Sequence, residues 1–242
     1  MTPPLNRLDL QFRRNVNKLI SVELQLEELH QLAGWVAPWS PLLQRWYLGS
    51  SISKVDAMQY EAFDSKGPTT AALAVIKEKQ KDRAGFQSIG LWTGQDNDDE
   101  ASGMTSQSNL LGRPDAISFR PAVEIQIIDW KQGAELIRSA VTLWPARFAT
   151  FNPLWYVEKK VFKDRPGVGW MIYLPKVLTA QQVPEARMLV PVMSSSKKQL
   201  GTIIVSVTDE PFSIENPAHL KIANDIEIRL VDQDLLPRYA DL

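Results

Sequence analysis

A chain of 242 residues, 44% apolar and 23% charged, reads as a globular protein large enough to bury a core without disulfide or metal staples. Its 27 basic and 28 acidic residues leave a net charge of −1, which argues against general nucleic-acid binding by phosphate neutralisation. The absence of cysteine excludes disulfides, thiolate catalysis, cysteine zinc sites and iron–sulfur clusters.

LDLQFRR (8–14) alternates apolar and polar residues and predicts a strand with one buried face. Beyond it, Val22, Leu26, Leu29, Ala33 and Val36 recur at intervals of three and four, which predicts a helix. Ser21 would cap it, and Glu23, Glu27 and Glu28 suit its positive N-terminal end. QRWYLG (44–49) reads as a short strand closed by Gly49. TTAALAVIKEKQKDR (69–83) predicts a second helix with its basic residues toward the C-terminal end. SIGLWTG (88–94) reads as a strand, QDNDDEASG (95–103) as an exposed loop, and 104–110 and 116–120 as two further strands.

AVEIQII (122–128) alternates cleanly and predicts another strand. Trp130, Ala134, Ile137, Val141 and Trp144 form the clearest helical stripe, ended by Pro145. GVGWMIYLP (167–175), MLVPV (188–192) and QLGTIIVSV (199–207) are the remaining strands, and Pro191 places the second at a sheet edge. The uncharged GVGWMIYLP reads as buried wall. A last helix starts from Ser213 or Asn216, runs through Ile222, Ile226 and Leu230, and ends before Pro237. The pattern predicts an α+β fold with mixed or antiparallel sheets and packed helices. The order strand, helix, PLLQRWY resembles the order AVEIQII, helix, NPLWY, with Trp46-Tyr47 and Trp155-Tyr156 at corresponding points. One domain over 1–242 holding two similar halves, 1–120 and 121–242, is therefore expected.

His30 and His219 are too few for a histidine metal site and read as surface or rim residues. No glycine-rich phosphate loop and no GxSxG occurs. Ser194 and Lys197 form SxxK, but SSSKKQLG lies between two predicted strands and reads as a turn. Pro114-Asp115 followed by Glu124-Ile125-Gln126 resembles the PD…ExK pattern of metal-dependent nucleases, with Gln126 where that pattern has its lysine. A turn at Asp115 and the polar face of a strand at Glu124 explain the same residues. No residue is assigned to catalysis, to a cofactor or to a metal.

Charge is more informative. Asp96, Asp98, Asp99 and Glu100 crowd one loop, and Thr208–Leu242 carries eight acids against three bases. Such patches attract basic surfaces and speed encounter. Of the eight tryptophans, Trp92, Trp130, Trp144 and Trp170 lie on predicted buried faces, whereas Trp35, Trp39, Trp46 and Trp155 suit core rims or interface anchors.

PLLQRWYLG, EAFDSKGPTTAALAVIKE, GVGWMIYLP and NPAHLKIANDIEIRLVDQDLLP, in that order, resemble the immunity protein 52 family over nearly the whole chain. The most specific pieces are Trp46, Tyr47 and Gly49 in WYLG, and Gly169, Trp170, Tyr173 and Pro175 in GWMIYLP; these read as shared scaffold. The resemblance implies a bacterial α+β protein encoded beside a polymorphic toxin, often one delivered by a type VI secretion system and carrying a restriction-endonuclease-like nuclease domain. Such a protein binds and neutralises its toxin in the cytoplasm and is not an enzyme. The opening MTPPLNRLDLQF lacks the basic-then-apolar order of an export signal, and no apolar run approaches the ~20 residues of a membrane span, in keeping with that location. Immunity proteins bind through exposed surface, so Asp96, Asp98, Asp99, Glu100, Asp225, Asp232 and Asp234 are the expected contacts. A secretion adaptor or chaperone, and a degenerate nuclease built on Asp115 and Glu124, are the competing readings.

Overall fold

The computed structural model describes residues 5–14, 18–49, 56, 58–81, 85–95, 97, 100–110 and 112–242. By internal packing the chain divides into two compact units, Met1–Arg13 with Gln126–Leu242, and Arg14–Ile125. Each combines antiparallel strands with packed helices, and the fold class is α+β. The first strand, β1 (Asn6–Phe12), belongs with the C-terminal part of the chain; Leu8, Leu10 and Phe12 point inward from it, as their alternation requires.

In the unit Arg14–Ile125, helix α1 (Val22–Val36) begins where Ser21 Oγ accepts the Leu24 N–H at 3.2 Å. Leu26, Leu29, Leu32 and Val36 form its buried stripe. Gln25 shares that face and is fully buried. After two short 3-10 turns come β2 (Tyr47–Leu48) and a hairpin of β3 (Phe63–Asp64) and β4 (Gly67–Pro68). Helix α2 (Thr70–Gln80) is capped by Thr69, whose Oγ1 accepts the Ala72 N–H at 3.1 Å. Strands β5 (Phe86–Trp92), β6 (Gly103–Asn109) and β7 (Asp115–Arg120) complete the sheet, in the order β7-β6-β5-β2. Gln25 ties the helix to it: its Nε2 donates to the Ser106 carbonyl and hydroxyl at 2.9 and 2.8 Å, and its Oε1 accepts from Gln87 Nε2 at 2.5 Å. Trp46 is fully enclosed, its indole N–H on the Leu43 carbonyl at 2.9 Å and its ring edge-on to Phe119.

AVEIQII is not a strand. Residues 121–129 are turn and loop, and the Ile125 N–H closes a turn on the Ala122 carbonyl at 3.0 Å. Ala122, Ile125 and Ile127 are nevertheless buried while Glu124, Gln126 and Ile128 are exposed. The alternation is therefore genuine as burial, although these residues form no strand ladder.

The other unit continues with helix α3 (Trp130–Leu143), capped by Asp129, then β8 (Ala146–Pro153), β9 (Met171–Leu174), β10 (Met188–Met193), β11 (Gln199–Val205) and helix α4 (Pro217–Asp232). Its strand order is β10-β11-β9-β8-β1, which puts the proline-bearing β10 at an end, as expected. All four residues of β9 are buried because both faces are covered. Met171 meets Gly133 of α3, while Ile172 and Leu174 join a core with Ile226 and Leu230 of α4. GVGWMIYLP is indeed wall: Trp170 is fully buried and donates to the Val207 carbonyl at 2.9 Å. Gly169 at its head has φ 51°, the left-handed region, and an added Cβ would collide with Asn152, whose Oδ1 accepts the Trp170 and Met171 N–H groups.

Candidate partner-binding surface

The acidic loop is represented by Glu100, which is exposed; Asp96, Asp98 and Asp99 lie outside the described residues. Seven of the eight acids of the C-terminal segment fall into three places. Asp225 is half-buried on α4 and paired with Lys221 at 2.5 Å. Asp232 and Asp234 are exposed at the C-terminal end of α4, where the helix dipole disfavours anions. Asp234 and Asp241 line a small cavity of about 280 Å³ together with Arg165, Lys176 and Arg238, so local cations offset them. Asp209, Glu210 and Glu215 precede the helix, ~24 Å from its far end at 1.5 Å per residue.

The eighth acid is not on the surface. Glu227 is fully buried, and three donors meet its carboxylate: Tyr156 Oη at 2.7 Å and Val168 N–H at 2.9 Å on Oε1, and Val161 N–H at 2.8 Å on Oε2. Burial raises its pKa despite these bonds and the nearby Lys160. Burial, reinforced by the Glu227 charge, pushes the Tyr156 hydroxyl far above its ordinary range. Burial lowers the pKa of Lys160, whose Nζ donates to the Arg165 carbonyl at 2.6 Å and to Tyr239 Oη at 3.2 Å. The bonds on Glu227 pin the 3-10 segment Leu154–Glu158 and the loop after it to α4, and Lys160 closes that loop on itself and onto Tyr239.

The pinned segment turns Tyr156 inward and leaves Trp155 57% exposed. Trp155 stands at a groove of about 820 Å³ whose opposite wall is the loop from Glu210 to Pro217. Phe212 is fully buried there, edge-on to Tyr156 and tilted against His219. His219, which the sequence places at the surface or rim, is buried at 5% exposure. Its Nδ1 accepts the Ser213 N–H at 3.0 Å, which places the ring proton on Nε2, 2.9 Å from Glu210 Oε1. Among the described residues two carboxylates, Glu210 and Glu215, and neither lysine nor arginine, line the groove.

The nuclease-like pair is separated by its local structure. Asp115 accepts the Asn109 N–H at 2.7 Å and lies 3.4 Å from Arg14, which also grips Glu28; burial raises its pKa. Glu124 is exposed in the turn described above. Ser194 and Lys197 form the β10–β11 turn, with Lys197 at φ 61°. Among the described residues no group of three or more histidines and carboxylates is placed to hold a metal ion, and no helix is long and apolar enough to cross a membrane.

Of the scaffold motif, Trp46, Tyr47, Gly169, Trp170 and Tyr173 are buried, whereas Gly49 and Pro175 are exposed where their strands end. Trp144 is buried as well, while Trp92 and Trp130 are half-buried. Sequence reasoning missed Glu227 and His219 as interior groups. Ala223, Glu227 and Leu230 continue from His219 at spacings of four, four and three, a helical stripe that already contains both.

Among curated proteins none matches the chain. The solved structure of the Pseudomonas aeruginosa T6SS protein PA0821 is similar at 9% identity and a TM-score of 0.50, covering 93% of this chain and 76% of that one, a likeness of fold alone. Residues 21–238 match immunity protein 52, and on that span the chain belongs to the immunity protein 52 family.

Proposed function

We propose that this protein is the cytoplasmic antidote to a secreted toxin with a restriction-endonuclease-like nuclease domain, encoded beside it, and that it protects the producing cell and its kin by binding that domain without turnover. The family match over residues 21–238 carries the reading. Its acidic exposed residues, among them Glu100, Asp232, Glu210 and Glu215, agree with a partner whose DNA-binding groove is basic. Covering such a groove excludes the substrate by occupancy, which needs surface complementarity and no catalytic group of the antidote.

Co-expression tests the reading. Cells producing the neighbouring toxin should grow when this chain is supplied, and the purified pair should form a stoichiometric complex in which nuclease activity disappears. Complex formation without rescue would mark the chain as an escort for secretion instead.

A further inference from the structure

We infer that the Trp155 groove receives an apolar side chain of the toxin flanked by a lysine or arginine; this rests on the reading that the partner is a toxin. Scattered exposed apolar residues are ordinary. Here, however, Trp155 at 57% exposure is followed by Val157 at 55% and Val161 at 40%, and the indole opens onto a groove large enough for several side chains. Tryptophan at a preformed pocket is the residue type that dominates binding energy in protein interfaces.

Hydrogen bonds hold both walls of the groove before anything enters it. Tyr156, next in the chain to Trp155, is anchored to Glu227, and the opposite wall is fixed by His219 on Ser213 and by Asn216, which caps α4 through the Ala218 N–H at 3.0 Å. Ordering a loop on binding weakens affinity, and a wall already ordered avoids that loss.

Charge selects the occupant. Among the described residues the contacts on Glu210, from His219 and from Asn216 at 3.5 Å, fall on Oε1 and leave Oε2 to a partner, and Glu215 is exposed beside it. A cation adjoining the apolar anchor would meet both carboxylates. A second copy of this chain docking by two-fold symmetry would bring the same acidic rim against itself, which disfavours self-association.

The test measures binding kinetics between the full chain and the toxin domain encoded in the adjacent reading frame, with a nuclease-inactivating change. Trp155→Ala should raise the dissociation rate at least about tenfold, because affinity losses at anchors reside mainly there. Glu215→Lys should slow association and flatten its salt dependence. Val177→Ala, at a residue 61% exposed elsewhere, serves as control and should change neither rate. If wild type binds and both groove variants stay within about twofold of it, the groove is not the dock and the antidote reading survives. If wild type does not bind, both fall. A Trp155-dependent dimer of the chain alone in ultracentrifugation would make a second copy the occupant and overturn the inference.

Discussion

The Tyr156 hydroxyl lies 2.7 Å from Glu227 Oε1, so a segment carrying an exposed tryptophan is tethered through its next residue to the middle of a helix. Anchor and presented group are neighbours in sequence and face opposite ways. The consequence is that the exposed Trp155 is held by the core beneath it.

Glu227→Gln should destabilise the protein by about 1–3 kcal/mol, because one amide oxygen can replace one carboxylate oxygen while the NH₂ confronts a backbone N–H. The pH dependence has a defined sign. Burial raises the folded pKa of Glu227 above its ordinary 4.5, so the native state holds the proton more tightly than the unfolded one. Stability from this group is greatest below pH 4.5 and declines as pH rises through the folded pKa, a decline the glutamine variant lacks. Urea titrations of both proteins across that window check this; parallel curves would contradict it.

Gly169→Ala should lower stability by about 1–3 kcal/mol, since alanine resists the left-handed conformation and its methyl collides with Asn152. The midpoint of chemical denaturation reports it. Asn152→Ala should weaken the same joint by freeing the Trp170 and Met171 N–H groups.

Gln25→Leu should be destabilising by about 1–3 kcal/mol although it makes α1 more apolar, because Ser106 and Gln87 are left with buried polar groups unmatched. Thermal unfolding shows the loss, and the double change with Gln87→Leu should recover part of it.

Reversing Asp96, Asp98, Asp99 and Glu100 to lysine should slow toxin association and reduce its sensitivity to salt. Reversing Asp234 should do less, because Arg165, Lys176 and Arg238 already surround its cavity. Stopped-flow mixing at two ionic strengths separates these; an unchanged rate for the loop variant removes it as a steering patch.

Much of the architecture was legible. The stripe of α3, the cap Ser21, and the edge position marked by Pro191 followed from spacing and from the missing proline N–H, while the structure chooses Asn216 over Ser213 as the cap of α4. AVEIQII misled because period-two burial needs only a chain crossing a boundary between core and water, whereas a strand also needs a partner ladder. Counting charges treated Glu227 as surface because a tally ignores which helix face a residue occupies. Trp155 and Tyr156 could not be told apart in sequence, since the turn that sends one inward and the other outward is set by a helix far along the chain.

Strand β1 pairs Asn6 with Pro153 and Phe12 with Ala146. A ribosome therefore releases this strand long before its partner β8 exists, while every residue of the Arg14–Ile125 unit emerges in between. Until β8 emerges, Leu8, Leu10 and Phe12 lack the ladder that β8 supplies. A nascent chain stalled before Ala146 would present that edge to chaperones, and synthesis through Pro153 is what covers it.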